Sequence, residues 1–83
     1  MKILITGGAG FIGSAVVRLG IKLGYEIITV DNLTYAGNLE NLKTIFNHKN
    51  HVFEKADICN YKKIIKILNK YNPDSIMHLA ASS

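Results

Sequence analysis

A glycine-rich segment near the start of the chain constrains its fold more than any other feature. Residues 6–13 read TGGAGFIG and satisfy both the spacing Gly8-x-Gly10-x-x-Gly13 and the spacing Gly7-x-x-Gly10-x-x-Gly13. Glycines in such a turn let a diphosphate approach the main-chain N–H groups at the positive end of a following helix. Glycine-rich turns are common, however, so the interpretation depends on what flanks the segment.

The flanking residues alternate between strand and helix patterns. Short apolar or β-branched runs predict strands, and longer amphipathic or apolar runs predict helices that end at Gly24 or before Pro73. The predicted strands are residues 2–6, 26–30, 51–56 and 75–80, and the predicted helices are residues 11–23, 39–46 and 62–71.

This alternation predicts an α/β fold of the Rossmann-like, doubly wound type. Right-handed crossovers between successive strands require a mostly parallel sheet with helices on both faces. With 83 residues the chain supplies only the first four strands of the order 3-2-1-4-5-6, which leaves the fourth strand at an edge without its next neighbour. We therefore expect residues 1–83 to be the N-terminal, truncated part of a dinucleotide-binding domain.

Asp31 supports a dinucleotide site. It lies at the end of the second predicted strand and follows Gly13 at close to the roughly 20 residues typical of the dinucleotide-binding fingerprint. A carboxylate there accepts hydrogen bonds from the adenosine ribose and repels a 2′-phosphate, which predicts NAD rather than NADP. The alternative is a solvated acid at a strand end, or a cap of the next turn.

Charge and cysteine content restrict the other function classes. The net charge is +4, but Lys62, Lys66 and Lys70 recur on one face of a predicted helix, as in a solvated face or a surface for an anionic partner. No aromatic residues interleave with them, so we expect no nucleic-acid binding. The single cysteine, Cys59, excludes an internal disulfide and a multi-thiolate zinc site, and is expected to be buried. With neither a membrane span nor a signal peptide apparent, the cytoplasm is the expected compartment.

Other polar residues have competing interpretations. Asp57 follows the third predicted strand and could contact the adenine or serve as an N-cap or turn residue. His78, within an apolar run, is expected to be a hydrogen-bonded core residue, and His48 and His51 are expected at the surface. No catalytic residue is found, because none of the four tyrosines precedes a lysine by four residues, the spacing that lets an ammonium lower a phenol pKa. No metal site is expected either.

The motifs together resemble the extended short-chain dehydrogenase/reductase superfamily, and within it the nucleotide-sugar 4,6-dehydratases. The matching blocks are residues 1–18, residues 31–40 (DNLTYAGNLE), residues 56–59 (ADIC) and residues 73–81 (PDSIMHLAA). The resemblance implies a lyase that uses NAD to oxidise C4 of a nucleotide-bound glucosyl unit, eliminates water across C5 and C6, and returns the hydride to C6. It also implies that the parent is a homodimer and that catalytic residues and the sugar-nucleotide domain lie beyond this chain.

The expected site residues come from both arguments. The spacing assigns cofactor contacts to Gly7, Gly10, Gly13 and Asp31. The resemblance adds Phe11, Ile12, Asn32, Leu33, Thr34, Asp57, Ile58, Leu79, Ala80 and Ala81, with Ser83 at the substrate. Ser82 stands where the family usually has glutamate. Two alternatives remain: a nucleotide-sugar epimerase or decarboxylase of the same superfamily, and a freestanding non-catalytic nucleotide-binding module.

Overall fold

Four short strands form one parallel sheet in the order β3-β2-β1-β4, with helices in the connections. The structure is a computed structural model and describes residues 1–34 and 38–80. The strands are β1 (Lys2–Thr6), β2 (Glu26–Asp31), β3 (His51–Lys55) and β4 (Ser75–His78). The helices are α1 (Phe11–Lys22), a 3-10 helix (Leu39–Leu42) and α2 (Tyr61–Tyr71).

The topology confirms the α/β fold with a parallel Rossmann-like sheet. The chain moves outward from β1 to β2 and β3, then returns to place β4 on the other side of β1. Because all pairs are parallel, the loops after β1, β2, β3 and β4 leave the sheet at the same carboxyl edge. In open α/β sheets, ligands bind at this edge, where the strand order reverses.

Two apolar clusters cover the two faces of the central strands. Both clusters take residues from β1 and β2, which explains why these strands are apolar in consecutive positions rather than in alternate ones. The cluster under α1 and the 3-10 helix contains Ile5, Ala9, Val17, Ile21, Ile27 and Leu42. The cluster under α2 contains Leu4, Ile28, Val30, Ala56 and Ile67.

Two elements differ from the sequence-based prediction by more than one residue or in type, and the others agree with it to within one residue at each end. The helix expected at residues 39–46 is a 3-10 helix over Leu39–Leu42 followed by turns, because the bonds of this segment close over three residues, as from the Ile45 N–H to the Leu42 carbonyl at 3.0 Å. The fourth strand ends at His78 instead of residue 80. The Leu79 N–H is shared between the Thr6 carbonyl at 3.0 Å and the Thr6 hydroxyl at 3.1 Å, and the Ala80 N–H donates to that hydroxyl.

Side-chain burial overturns two expectations. Cys59 is exposed rather than buried, because it lies in the turn between β3 and α2. His51 is buried rather than on the surface, because it is the first residue of β3 and its ring packs toward β2. Among residues 1–34 and 38–80, no helix is both long and apolar enough to cross a membrane.

Candidate functional site

The glycine segment forms a tight turn that leads from β1 into α1. Gly7 has a φ of +72°, and its N–H donates to the carbonyl of Val30 at 2.8 Å. A Cβ at this position would lie 2.6 Å from the main-chain nitrogen of Ala80. Position 7 therefore requires glycine for its left-handed backbone and for the close approach of the chain that follows β4.

Gly8 and Gly13 are required for close packing within the same turn. A Cβ on Gly8 would lie 2.4 Å from Cγ2 of Thr29, and a Cβ on Gly13 would lie 2.0 Å from the carbonyl oxygen of Gly7. At position 13 the close contact is with the backbone of the loop, whereas Gly20 lets α1 approach Ile27 of β2.

The first turn of α1 presents main-chain donors without protein acceptors. The N-cap Gly10 offers no side chain, and the first turn holds no acidic residue. The first amide of α1 with a main-chain acceptor is that of Ser14, which donates to the Gly10 carbonyl at 2.8 Å. Among the described residues, no acceptor pairs with the N–H groups of Phe11, Ile12 and Gly13. These donors, at the positive end of the helix, can hold an anion.

Apolar side chains surround these donors. Phe11 is 86% exposed and Ile12 is 70% exposed, although both begin a helix whose other face is buried. Large exposed apolar residues beside unpaired donors are typical of a surface that covers a bound organic molecule.

Asp31 connects the end of β2 to the glycine segment. One carboxylate oxygen accepts the N–H of Ala9 at 2.9 Å, and the other accepts the N–H of Leu33 at 2.8 Å. The second bond closes a turn in which Leu33 has a φ of +57°, a backbone region that costs a non-glycine residue about 1–3 kcal/mol. Asp31 therefore caps the next turn, as one interpretation had it, and also fixes the loop. Each oxygen keeps a lone pair for a further donor.

The segment before and within the 3-10 helix holds the other polar group of Ala9. The Ala9 carbonyl accepts the main-chain N–H of Asn38 at 3.0 Å and the side-chain amide of Asn41 at 2.9 Å. Sequence reasoning assigned no contact to Asn38 and did not find Asn41. A lone asparagine between Glu40 and Leu42 carries no motif that could have revealed its partner, which lies 32 residues away.

The remaining expected cofactor residues lie along the same edge where the structure describes them. Asn32 and Thr34 are exposed after β2, and Asp57 and Ile58 follow β3.

Asp57 accepts the N–H of Cys59 at 2.9 Å, so it acts as a turn residue, while Asn60 is the N-cap of α2. Leu79 and Ala80 follow β4 and donate to the hydroxyl of Thr6 at 3.1 and 3.4 Å. Ala81, Ser82 and Ser83 lie outside the described residues, as do residues 35–37 of the matching block at residues 31–40.

The two threonine–histidine pairs of the sheet differ in burial. Thr29 and His51 are both buried, with Oγ1 and Nε2 2.8 Å apart. Burial lowers the pKa of His51, against the opposing effect of its hydrogen bond to the Phe46 carbonyl. His78 is hydrogen-bonded as expected, with its Nδ1 2.7 Å from Thr6 Oγ1. It is exposed, however, and not in the core as the sequence had predicted. In the described part of the chain, no three metal-ligating side chains come together.

With this geometry established, comparison with known proteins identifies the family. A model of the family described as GDP-mannose 4,6 dehydratase matches residues 4–83. The chain belongs to the GDP-mannose 4,6-dehydratase family. The resemblance to nucleotide-sugar 4,6-dehydratases inferred from the motifs is thereby confirmed.

Individual members and neighbours of this family are similar over the whole chain. The dTDP-glucose 4,6-dehydratase of Salmonella typhimurium is 57% identical over 84 residues, which are 100% of this chain and 23% of that protein. The structure of dTDP-glucose 4,6-dehydratase from Bacillus anthracis in complex with NAD superposes with a TM-score of 0.94 at 42% identity, covering 99% of this chain and 27% of that one. The structure of UDP-glucose 4-epimerase from Thermotoga maritima superposes with a TM-score of 0.86, also at 42% identity, and the alignment covers 100% of this chain and 25% of that one. The chain thus spans about a quarter of the length of these relatives.

Proposed function

We propose that residues 1–83 are the NAD-binding segment of a dTDP-glucose 4,6-dehydratase. The observation that carries the proposal is the joint presence of unpaired N–H groups at the start of α1 and of the Asp31 carboxylate locked beside them through Ala9. The relatives support the choice of cofactor, since the Bacillus anthracis enzyme was crystallised with NAD.

The described residues fit a dinucleotide by their chemistry. The N–H groups of Phe11, Ile12 and Gly13 would donate to the diphosphate, and the N-cap Gly10 carries no side chain that would compete for them. Asp31 would accept the ribose hydroxyls with the lone pairs that Ala9 and Leu33 do not use. Its negative charge would disfavour a 2′-phosphate, which predicts NAD over NADP.

Within this proposal, NAD would be held by the first N–H groups of α1 and by Asp31, and it would supply the hydride acceptor and donor for a reaction that oxidises C4, eliminates water across C5 and C6 and reduces C6 of the sugar. This chain contributes binding and orientation, and the acid, base and nucleotide-sugar contacts belong to the rest of the polypeptide. We propose Ser83 as a substrate contact. The further cofactor contacts that we propose are Asn32, Leu33, Thr34, Asp57, Ile58, Leu79, Ala80 and Ala81. The parent is proposed to be a cytoplasmic homodimer.

A nucleotide-sugar epimerase is the second candidate, because the Thermotoga maritima epimerase is 42% identical to this chain over the aligned residues. The Bacillus anthracis dehydratase superposes more closely, with a TM-score of 0.94 against 0.86. Residues 35–38 (YAGN) also favour the dehydratase. Incubation of the intact polypeptide with dTDP-glucose or UDP-glucose distinguishes the two, since a 4-keto-6-deoxy product indicates the dehydratase and a C4 epimer indicates the epimerase.

The binding role is tested by replacing Asp31. We expect Asp31→Ala to weaken NAD binding by about 1–3 kcal/mol, or roughly 5- to 150-fold, because loop and ribose donors lose their acceptor. Calorimetric titration with NAD and with NADP measures both affinity and preference, and the preference for NAD should shrink. The control is Asp74→Ala, which removes the same charge at the opposite edge of the sheet, where Asp74 accepts the N–H of Lys2 at 2.8 Å.

Two results would contradict the proposal. Equal NAD affinity for the wild type and Asp31→Ala would exclude the ribose role of Asp31. Absence of NAD binding by the folded wild-type polypeptide would exclude the cofactor itself and favour the non-catalytic module.

A further inference from the structure

Ala9 is held by protein groups at both its main-chain N–H and its carbonyl. Its N–H donates to Asp31 at 2.9 Å, and its carbonyl accepts from Asn38 N at 3.0 Å and from Asn41 Nδ2 at 2.9 Å. A carbonyl oxygen has two lone pairs, so these two donors saturate it. Ala9 itself is fully buried. The orientation of this residue is therefore fixed from outside the glycine segment.

The saturation of this carbonyl affects the start of α1. In a continuous α-helix the N–H of residue 13 donates to the carbonyl of residue 9, four positions earlier. In this structure the first such main-chain bond runs from Ser14 to Gly10, and Gly13 has no partner among the described residues. Were the Ala9 carbonyl to turn toward α1, it would extend the helix by one residue and occupy the Gly13 donor.

We propose that Asn41 is a positioning residue for the dinucleotide site. Its side-chain amide, together with the Asn38 N–H, keeps the Ala9 carbonyl directed away from α1, so that the Gly13 N–H remains available to the diphosphate. The inference rests on the proposed function, which assigns a dinucleotide to this site. It adds to the site a residue that affects dinucleotide binding indirectly, through Ala9 and Gly13.

Asn41 is itself held in place by neighbouring elements. Its main-chain N–H donates to the Asn38 carbonyl at 3.0 Å, and its main-chain carbonyl accepts Nη1 of Arg18 from α1 at 2.8 Å. The next residue, Leu42, is fully buried in the cluster that also contains Ala9 and Val17. The position of the amide is thus set before any ligand binds, so little additional entropy is lost on binding.

The test replaces Asn41 in the intact polypeptide. Asn41→Asp has nearly the same shape but offers only acceptors when ionised, and Asn41→Ala removes the donor without adding charge. We expect NAD affinity, measured by calorimetry, to fall at least tenfold in both variants. The matched control is Asn69→Asp, the same change at an exposed position of α2, and it should bind NAD like the wild type.

A second measurement separates positioning from a general structural role. Hydrogen exchange of the Gly13 amide, followed by NMR on ¹⁵N-labelled protein without ligand, should be slower in both Asn41 variants, because the Ala9 carbonyl then becomes its acceptor. A merely destabilised loop would exchange faster. Slower exchange at Gly13 together with weaker NAD binding supports the proposal.

The opposite outcomes overturn it. Wild-type NAD affinity in folded Asn41→Ala and Asn41→Asp, or unchanged or faster exchange at Gly13 in either variant, excludes the role of Asn41. If the wild type binds no NAD, the proposed function fails and the ligand part of this inference fails with it. Wild-type NAD binding with unaffected variants overturns only the role of Asn41.

Discussion

The two strands that flank β1 differ sharply in burial although their pairing with it is the same. Both β2 and β4 pair with β1 in parallel, and Leu4 stands opposite Ile28 on one side and Ile76 on the other. Four consecutive residues of β2 are buried, whereas all four residues of β4 are exposed. Ile28 is 2% exposed and Ile76 is 55% exposed.

The difference arises from what lies over the faces of each strand. Ile27 of β2 packs with α1 residues in one cluster, and Ile28 packs with Ile67 of α2 in the other. No residue of β4 belongs to either cluster, and in the described part of the chain no strand pairs with its outer edge. The comparison shows that main-chain pairing aligns a strand, while burial of its side chains depends on the helices packed against it.

Truncation of paired residues should reveal the largest contrast. We expect Ile28→Ala to lower the free energy of unfolding by about 2–5 kcal/mol, because it leaves a cavity in the core. Ile76→Ala should cost less than about 1 kcal/mol, because its side chain is more than half exposed. Urea unfolding of both variants measures the difference, and equal losses would show that β4 is covered in solution.

A smaller effect is expected where α2 is attached over β2 and β3. The Tyr71 hydroxyl donates to the carboxylate of Glu54 in β3, and burial, then this bond, raises the pKa of the Tyr71 phenol. Tyr71→Phe should destabilise the fold by about 1 kcal/mol, since it removes one partly buried hydrogen bond. Tyr61→Phe in the same helix is the control, because Tyr61 is 76% exposed. Equal unfolding midpoints for the two variants would contradict the assignment.

The smallest effect concerns the pH dependence of the free energy of unfolding, through His51 at the start of β3. Burial lowers the pKa of His51, and neighbouring His48 lowers it further, although the bond to the Phe46 carbonyl opposes both. In the unfolded chain the His51 imidazole therefore binds a proton near the ordinary pKa of about 6.5, whereas in the folded chain it does so only at a lower pH. The free energy of unfolding should therefore have its full value above a pH of about 6.5 and decrease as the pH drops below it.

Denaturation at pH 7.5 and at pH 5 measures this dependence, and His51→Gln should reduce it. His48→Gln is the comparison variant and should reduce it less, because His48 is exposed and acts on His51 only through its charge. The same pH dependence in the wild type and His51→Gln would rule out His51 as its source.

Local sequence patterns were sufficient for the elements and for the position of Asp31. Apolar residues recur with different periods in strands and in helices, and a tight turn with a positive φ, such as the one at Gly7, strongly favours glycine. The patterns failed where distant residues decide the outcome. His51 follows three polar residues yet is buried, because its ring reaches Thr29, which is 22 residues away. Cys59 is exposed because the turn at Asp57 directs the chain away from the sheet.

The amino-acid sequence by itself determined the α/β class, the order of its elements and the place of the glycine segment before α1, because these follow from periodicity and backbone preference within a few residues. Only the tertiary structure decided that Asp31 and Asn41 meet at Ala9, and that His51 is buried while Cys59 is exposed. Hydrogen bonds and packing between distant parts of a chain depend on how the elements are arranged in space. No local pattern encodes that arrangement.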